Sequence, residues 1–362
     1  MHIPIHLLTR MRYLLLFLWQ GWFLSATCQP STPQKVALGH LPVVQADAKG
    51  TMHLVYGLDS TIYYTTANSS TDSFKLPSRV ATLSNLVAGA KRGPQLAITD
   101  QFIVITAVNR QGDIYAYSLN RATNQWSPAV QVNDVPEIAK EGFQAIAGSG
   151  NGLFHAAWLD LRDDKKNKIV GASSRDGGRT WSKNQVIYRS PDGTVCECCK
   201  VSLAAKNNDV YVQFRNWLGG SRDLHLIHST DGGKTYAPAQ KLGTGTWKLT
   251  ACPMDGGAVV LSAAGQPITA WRRENNLYTC LPGEPEQSIT TGRNITLAAG
   301  TAQPVLAWDE GGIIWVKSAA NPTLQVGKGQ MPSIAVAGQT VMCVWESEGQ
   351  VMMATTNLRP KP

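Results

Sequence analysis

A chain of 362 residues can hold one large all-β domain or two ordinary ones, and its 33 glycines and 19 prolines punctuate many short apolar runs. No long segment of 3.6-residue periodicity interrupts them, which points to a sandwich, barrel or propeller and away from an α/β enzyme. The formal charge of +8 is spread over scattered Lys and Arg without a dense basic run, so it reads as a solvated, mildly basic surface and not as a nucleic-acid footprint.

In chain order, residues 1–28 read as an export signal. Arg10 and Arg12 precede the apolar run from Tyr13 to Leu24, which is too short and badly flanked for a membrane span. The run ends in Leu24-Ser25-Ala26-Thr27-Cys28, which resembles a bacterial lipobox. The resemblance implies lipidation of Cys28 as the mature N-terminus and a periplasmic, outer-membrane or cell-surface lipoprotein. Thr27 departs from the usual Gly, Ala or Ser, and ordinary signal-peptidase cleavage nearby is the alternative. Residues 29–33 are expected to be a tether, 34–358 a single domain and 359–362 a tail. No later segment is long and apolar enough to span a bilayer.

From residue 41 onward the sequence repeats itself. A small-residue strand, a Gly or Asn turn and a second strand ending in an aromatic recur along the chain. The second strands are MHLVYG (52–57), FIVITAV (102–108), FHAAW (154–158), VYVQF (210–214), PITAW (267–271), PVLAW (304–308) and VMCVW (341–345). They stand about 37 to 57 residues apart, the spacing of propeller blades. Ala, Gly and Ser in the preceding strands suit a crowded central axis, and Val, Ile, Leu and Trp in the second strands suit blade-on-blade packing. The last unit stops after its third strand, and QKVALG (34–39) is expected to supply the fourth and close the ring. The prediction is a seven-bladed, four-stranded β-propeller, with six blades as the alternative.

Two hairpins share a tighter pattern, Ser-x-Asp-x-Gly-x-Thr-aromatic: Ser174–Trp181 and Ser229–Tyr236. Asp accepts backbone N–H bonds, Gly takes φ > 0 and the aromatic tucks beneath. Both resemble the Asp box, or BNR repeat, of sialidases and related propellers. The resemblance implies a structural role for Asp176 and Asp231, on the face away from the family's usual site.

Strand order places the unusual residues on the other face. Loops from second to third strand supply Asp160, Arg162, Arg215, Trp217, Arg272, Arg273 and Glu346, and loops into the inner strands supply His40, Cys196, Cys198, Cys199, Cys252, Met254 and Met331. That face is the expected binding face. By resemblance, Arg162, Arg215 and Arg272 could mimic the sialidase arginine triad, with Asp160 and Glu346 as carboxylates. The chain departs from the family in having Leu41-Pro42-Val43-Val44 where an Arg-Ile-Pro motif usually stands, and in offering no top-face Tyr.

The cysteines divide by position. Cys280 and Cys343 lie in strands and read as small buried hydrophobes. Cys196, Cys198 and Cys199 precede one inner strand and Cys252 the next, so adjacent blades bring the four together. Disulfides are the preferred reading, because an exported protein meets an oxidising compartment. The alternative is a Cu or Zn site that includes Met254. The expected function is that of an exported, monomeric propeller that binds a glycan or envelope protein through its Cys- and Arg-rich face, without nucleic acid. The alternatives are a sialidase-like glycoside hydrolase and a periplasmic Cu- or Zn-binding protein.

Overall fold

The computed structural model describes residues 29–358 apart from 70–72, 151, 301–302 and 320. The proposed signal, Cys28 and the tail at 359–362 lie outside the described residues. Seven antiparallel sheets follow one another along the chain. Their inner strands are His40–Ala46, Gln95–Ile98, Gly142–Gly148, Ser202–Lys206, Gly257–Leu261, Arg293–Ala298 and Gln330–Ala337. The second blade carries its outer strand in two pieces, Gln125–Trp126 and Val130–Gln131, both paired to Ile114–Asn120. Seven blades form the ring, not six.

Gln34–Leu38 pairs antiparallel with Gln350–Asn357 and completes the seventh blade, so the chain's two ends close the propeller together. The segment expected to be a loose tether is anchored before that strand begins. Ser31 N donates to Thr355 O at 2.7 Å and Thr355 N donates to Ser31 Oγ at 2.9 Å.

Burial follows the repeat. Second strands such as Phe154–Asp160 and Thr340–Ser347 are covered almost throughout. Each of the seven blade-to-blade seams has its own cluster of buried apolar residues. In blades one, six and seven the aromatic ending the second strand sits over a glycine just before the inner strand. A Cβ on Gly39, Gly292 or Gly329 would meet Tyr56, Trp308 or Trp345 within 2.4–2.5 Å. These glycines also adopt φ of +143 to +151°, which side-chain-bearing residues avoid.

The two Ser-x-Asp hairpins close on themselves as expected. Asp176 Oδ1 accepts from Arg179 N (3.1 Å) and Thr180 N (2.9 Å), while Oδ2 accepts from Thr180 Oγ1 (2.7 Å). Asp231 repeats this with Lys234 N (3.0 Å), Thr235 N (2.9 Å) and Thr235 Oγ1 (2.6 Å). Those bonds, led by the one from the Thr235 hydroxyl, hold the Asp231 carboxyl well below the usual range. Both hairpins follow third strands, Lys168–Ser174 and Leu224–Ser229, and therefore lie on the face opposite the cysteine loops.

Candidate metal centre

At the mouth of the central channel the chain enters several inner strands through left-handed residues that are not glycine. Leu41 (φ 49°), Phe143 (52°), Met254 (51°), Asn294 (54°) and Met331 (55°) occupy related places in five blades. At Leu41, Phe143, Asn294 and Met331 a register shift in the pairing accompanies the kink. A non-glycine residue in this region carries backbone strain, and clusters of such residues mark functional mouths. Below them the inner strands of all seven blades line a channel of about 440 Å³.

The cysteine loop enters blade four. Val195 N donates to Asn167 O (3.0 Å), Cys196 N to Arg215 O (3.0 Å) and Val201 N to Phe143 O (3.3 Å), which ties the loop to blades three and four. The three thiols point at one another and are 1%, 7% and 2% exposed for Cys196, Cys198 and Cys199. Their Sγ atoms are separated by 3.7 Å (196–198), 3.1 Å (196–199) and 3.9 Å (198–199). A disulfide needs about 2.05 Å, so no pair is bonded in this structure, and all six described cysteines are free thiols. Four sulfurs placed tetrahedrally at a Zn–S length of about 2.3 Å would be roughly 3.8 Å apart. Two of the three separations match that value, and the third is shorter.

Cations surround the thiols. Arg222 Nη1 donates to Cys196 Sγ at 3.0 Å, its guanidinium lies 4.6 Å from the centre of the Trp217 ring, and Glu197 is 3.6 Å away. Hydrogen bonds from Cys196 and Cys199 pull the Cys198 thiol down, whereas burial pushes Cys199 up. The trio therefore titrates as a unit that favours one shared thiolate.

Cys252 belongs to the loop entering blade five, is exposed, and stands outside the group of three converging thiols. Met254 packs on the trio. Three consecutive carbonyls hold this loop. Pro253 O accepts from Arg272 Nη2 (2.9 Å), Met254 O from Lys91 Nζ and Asp255 O from Arg215 Nε (3.0 Å).

The expected arginine triad does not converge on a common pocket. Arg215, 1% exposed, also donates to Arg222 O (2.6 Å) and Arg272 O (2.8 Å). Arg272 Nε lies 3.0 Å from Asp255 Oδ2, an ion pair in separation though poorly angled for a hydrogen bond. Both guanidinium groups cover Trp247. Arg162 is held by Asp160 (2.8 and 3.0 Å) and reaches outward to Asn184 (3.1 Å). Asp160 is fully buried and also accepts from Trp158 Nε1 at 2.9 Å. Arg273 pairs with Glu286 at 2.7 Å over Tyr278, and Glu346 accepts from Leu41 N at 3.1 Å and contacts His40 Nδ1 at 3.1 Å. Every one of these side chains already has an internal partner, which a buried charge requires. Sequence reasoning passed over Arg222, Lys91 and Asp255. The available signal was that Arg222 lies on the blade-four loop sharing a face with the cysteines.

No protein-family model matches the chain, and no curated protein matches it. Solved structures do. An α-L-arabinanase from Penicillium chrysogenum superposes at a TM-score of 0.52 with 11% identity, covering 91% of this chain and 99% of that one. AofleA from Arthrobotrys oligospora gives 0.56 with 10% identity over 84% and 91%. A Hadza microbial sialidase gives 0.52 with 11% identity over 90% of this chain and 68% of its own. At such identities the likeness is one of fold, and the fold is the β-propeller also used by a sialidase and an arabinanase.

Proposed function

We propose that this protein binds one soft, thiophilic metal ion at the mouth of its propeller, through Cys196, Cys198 and Cys199. The observation that carries the reading is the convergence of three buried sulfurs within 3.9 Å of one another. Thiolates are the preferred donors for Cu(I) and Zn, and a buried cluster of them needs either an ion or compensating cations. Arg222 supplies one cation at contact distance, so the pocket tolerates the negative charge that three deprotonated sulfurs bring. A disulfide within this trio would leave the third sulfur buried and without a covalent partner. The reading takes the chain to be exported, with the signal at its N-terminus.

The test is metal content. The reduced protein is dialysed anaerobically against buffered Cu(I) or Zn(II) and analysed by mass spectrometry. About one ion per chain is expected, falling to background in Cys199→Ser. Equal metal in the wild type and in the triple Cys196→Ser, Cys198→Ser, Cys199→Ser variant overturns the reading.

Glycan binding on the same face is the second reading. It is supported by the fold shared with sugar-acting propellers and by the channel opening beside Lys91, Asn294 and Lys200. The internal commitments of Arg162, Arg215 and Arg272 weigh against a sialidase-type carboxylate clamp. Binding of arabinobiose or a sialoside that is lost in Lys200→Ala would favour this reading, and no binding to either would remove it.

A further inference from the structure

We infer that Arg222 sets the ion selectivity of the trio, raising its preference for a monovalent soft ion over a divalent one; the inference rests on the metal reading above. Two observations combine. The first is contact. Arg222 Nη1 donates to Cys196 Sγ at 3.0 Å, and that sulfur stands 3.7 Å from Cys198 Sγ and 3.1 Å from Cys199 Sγ. The second is fixation. Arg222 is 5% exposed, its backbone N donates to Trp247 O at 2.9 Å and its backbone O accepts from Arg215 Nη1 at 2.6 Å. Its side chain donates from Nε to Leu249 O at 3.3 Å, and the guanidinium lies 4.6 Å from the centre of the Trp217 ring. A cation held at so many points stays beside the sulfurs whatever charge they carry.

Binding exchanges thiol protons for the ion and changes no oxidation state. Each sulfur bonds to the ion as its proton leaves to solvent. Three thiolates around a divalent ion such as Zn(II) carry one net negative charge, and around Cu(I) they carry two. Both complexes form from the same reduced trio, so the difference between them does not depend on how many thiols are ionised beforehand. Among the described residues no His, Asp or Glu ligand atom joins the three sulfurs, so neither ion gains an imidazole or carboxylate that would alter this count. The extra negative charge of the cuprous complex lies in a covered place, where leaving it uncompensated is costly and a nearby cation acts strongly. The same guanidinium therefore stabilises the Cu(I) complex more than the Zn(II) one. Glu197 opposes it weakly. Its carboxylate is 3.6 Å from Arg222 Nη1 but 43% exposed, so solvent screens it.

The experiment titrates the reduced protein anaerobically with Cu(I) against bicinchoninate and with Zn(II) against a chromophoric chelator, in wild type, Arg222→Met, Arg222→Lys and Glu197→Gln. The readout is the ratio of the two affinities, since a loosened loop weakens both ions together and leaves the ratio in place. Arg222→Met is expected to lower the affinity for Cu(I) at least about tenfold more than that for Zn(II). Arg222→Lys, which keeps the charge, restores most of the ratio. Glu197→Gln changes only an exposed carboxylate and moves the ratio about twofold toward Cu(I). An unchanged ratio in Arg222→Met overturns the inference, and a ratio as low in Arg222→Lys as in Arg222→Met assigns the effect to shape and also overturns it. Where Arg222→Met does not fold, Glu197→Gln decides, and no shift or a shift toward Zn(II) overturns the inference. Binding of neither ion by the wild type removes the metal reading itself.

Discussion

The two faces of the ring use the same polar residue types in opposite ways. On one face, the carboxylates of Asp176 and Asp231 find their hydrogen-bond partners within their own eight-residue hairpins. On the other, the loops at Cys196 and Cys252 are finished from outside. Arg215, Arg222, Arg272 and Lys91, drawn from three blades, hold the backbone carbonyls or cap the sulfurs. A self-contained loop can keep only a shape, whereas a loop built by several blades can bring side chains from distant sequence to one point.

That contrast breaks most sharply at Arg215. Arg215→Met removes a buried guanidinium and the hydrogen bonds it donates to the carbonyls of Asp255, Arg222 and Arg272. The expected loss is about 3–5 kcal/mol of stability by denaturant unfolding, together with weaker metal retention. A stable variant that retains the ion normally would mean the mouth is as self-contained as the hairpins.

The hairpin face has its own pH signature. His155, buried beside Ser149 (3.2 Å), is pushed down from 6.5 to about 4, first by burial and then by Arg175. The unfolded chain therefore binds the proton more readily than the folded one. This contribution is complete above about pH 6.5 and is lost as the pH falls toward about 4. Melting temperatures should drop across that window by an amount equivalent to about 3 kcal/mol, and His155→Gln should flatten the drop. A profile unchanged in the variant would assign the acid sensitivity elsewhere.

The smallest effect sharpens the comparison from the other side. Asp176→Ala removes local bonds only, and should cost about 1 kcal/mol or less in stability while leaving metal stoichiometry as in wild type. A loss of metal in this variant would show that the two faces are coupled.

Much of the ring was legible because a propeller repeats one short pattern, and Val341–Trp345 or Phe154–Trp158 announces a covered strand by its composition alone. The pairing of Gln34–Leu38 with the last blade followed from a missing fourth strand. The glycine-on-aromatic contact at Gly329 and Trp345 was not legible, since it depends on the backbone passing so close to the indole ring that a Cβ there would meet it at 2.4 Å. The mouth was legible by face but not by direction. Arg162, Arg215 and Arg272 were placed on the correct side, yet where a guanidinium points is decided by which carbonyls and carboxylates need it. Those partners, Asp160 apart, lie up to 57 residues away. Cys196, Cys198 and Cys199 lie together because all three share one loop, whereas Cys252, expected beside them from the next blade, stands outside that group, and Arg222 escaped notice for want of any local pattern linking it to sulfur.

The most direct test of the metal centre is X-ray absorption at the edge of the ion bound to the reduced protein. The account predicts a first shell of sulfur alone at about 2.3 Å, lost in the triple serine variant of Cys196, Cys198 and Cys199. A shell dominated by nitrogen or oxygen, or an unchanged spectrum in that variant, would contradict it.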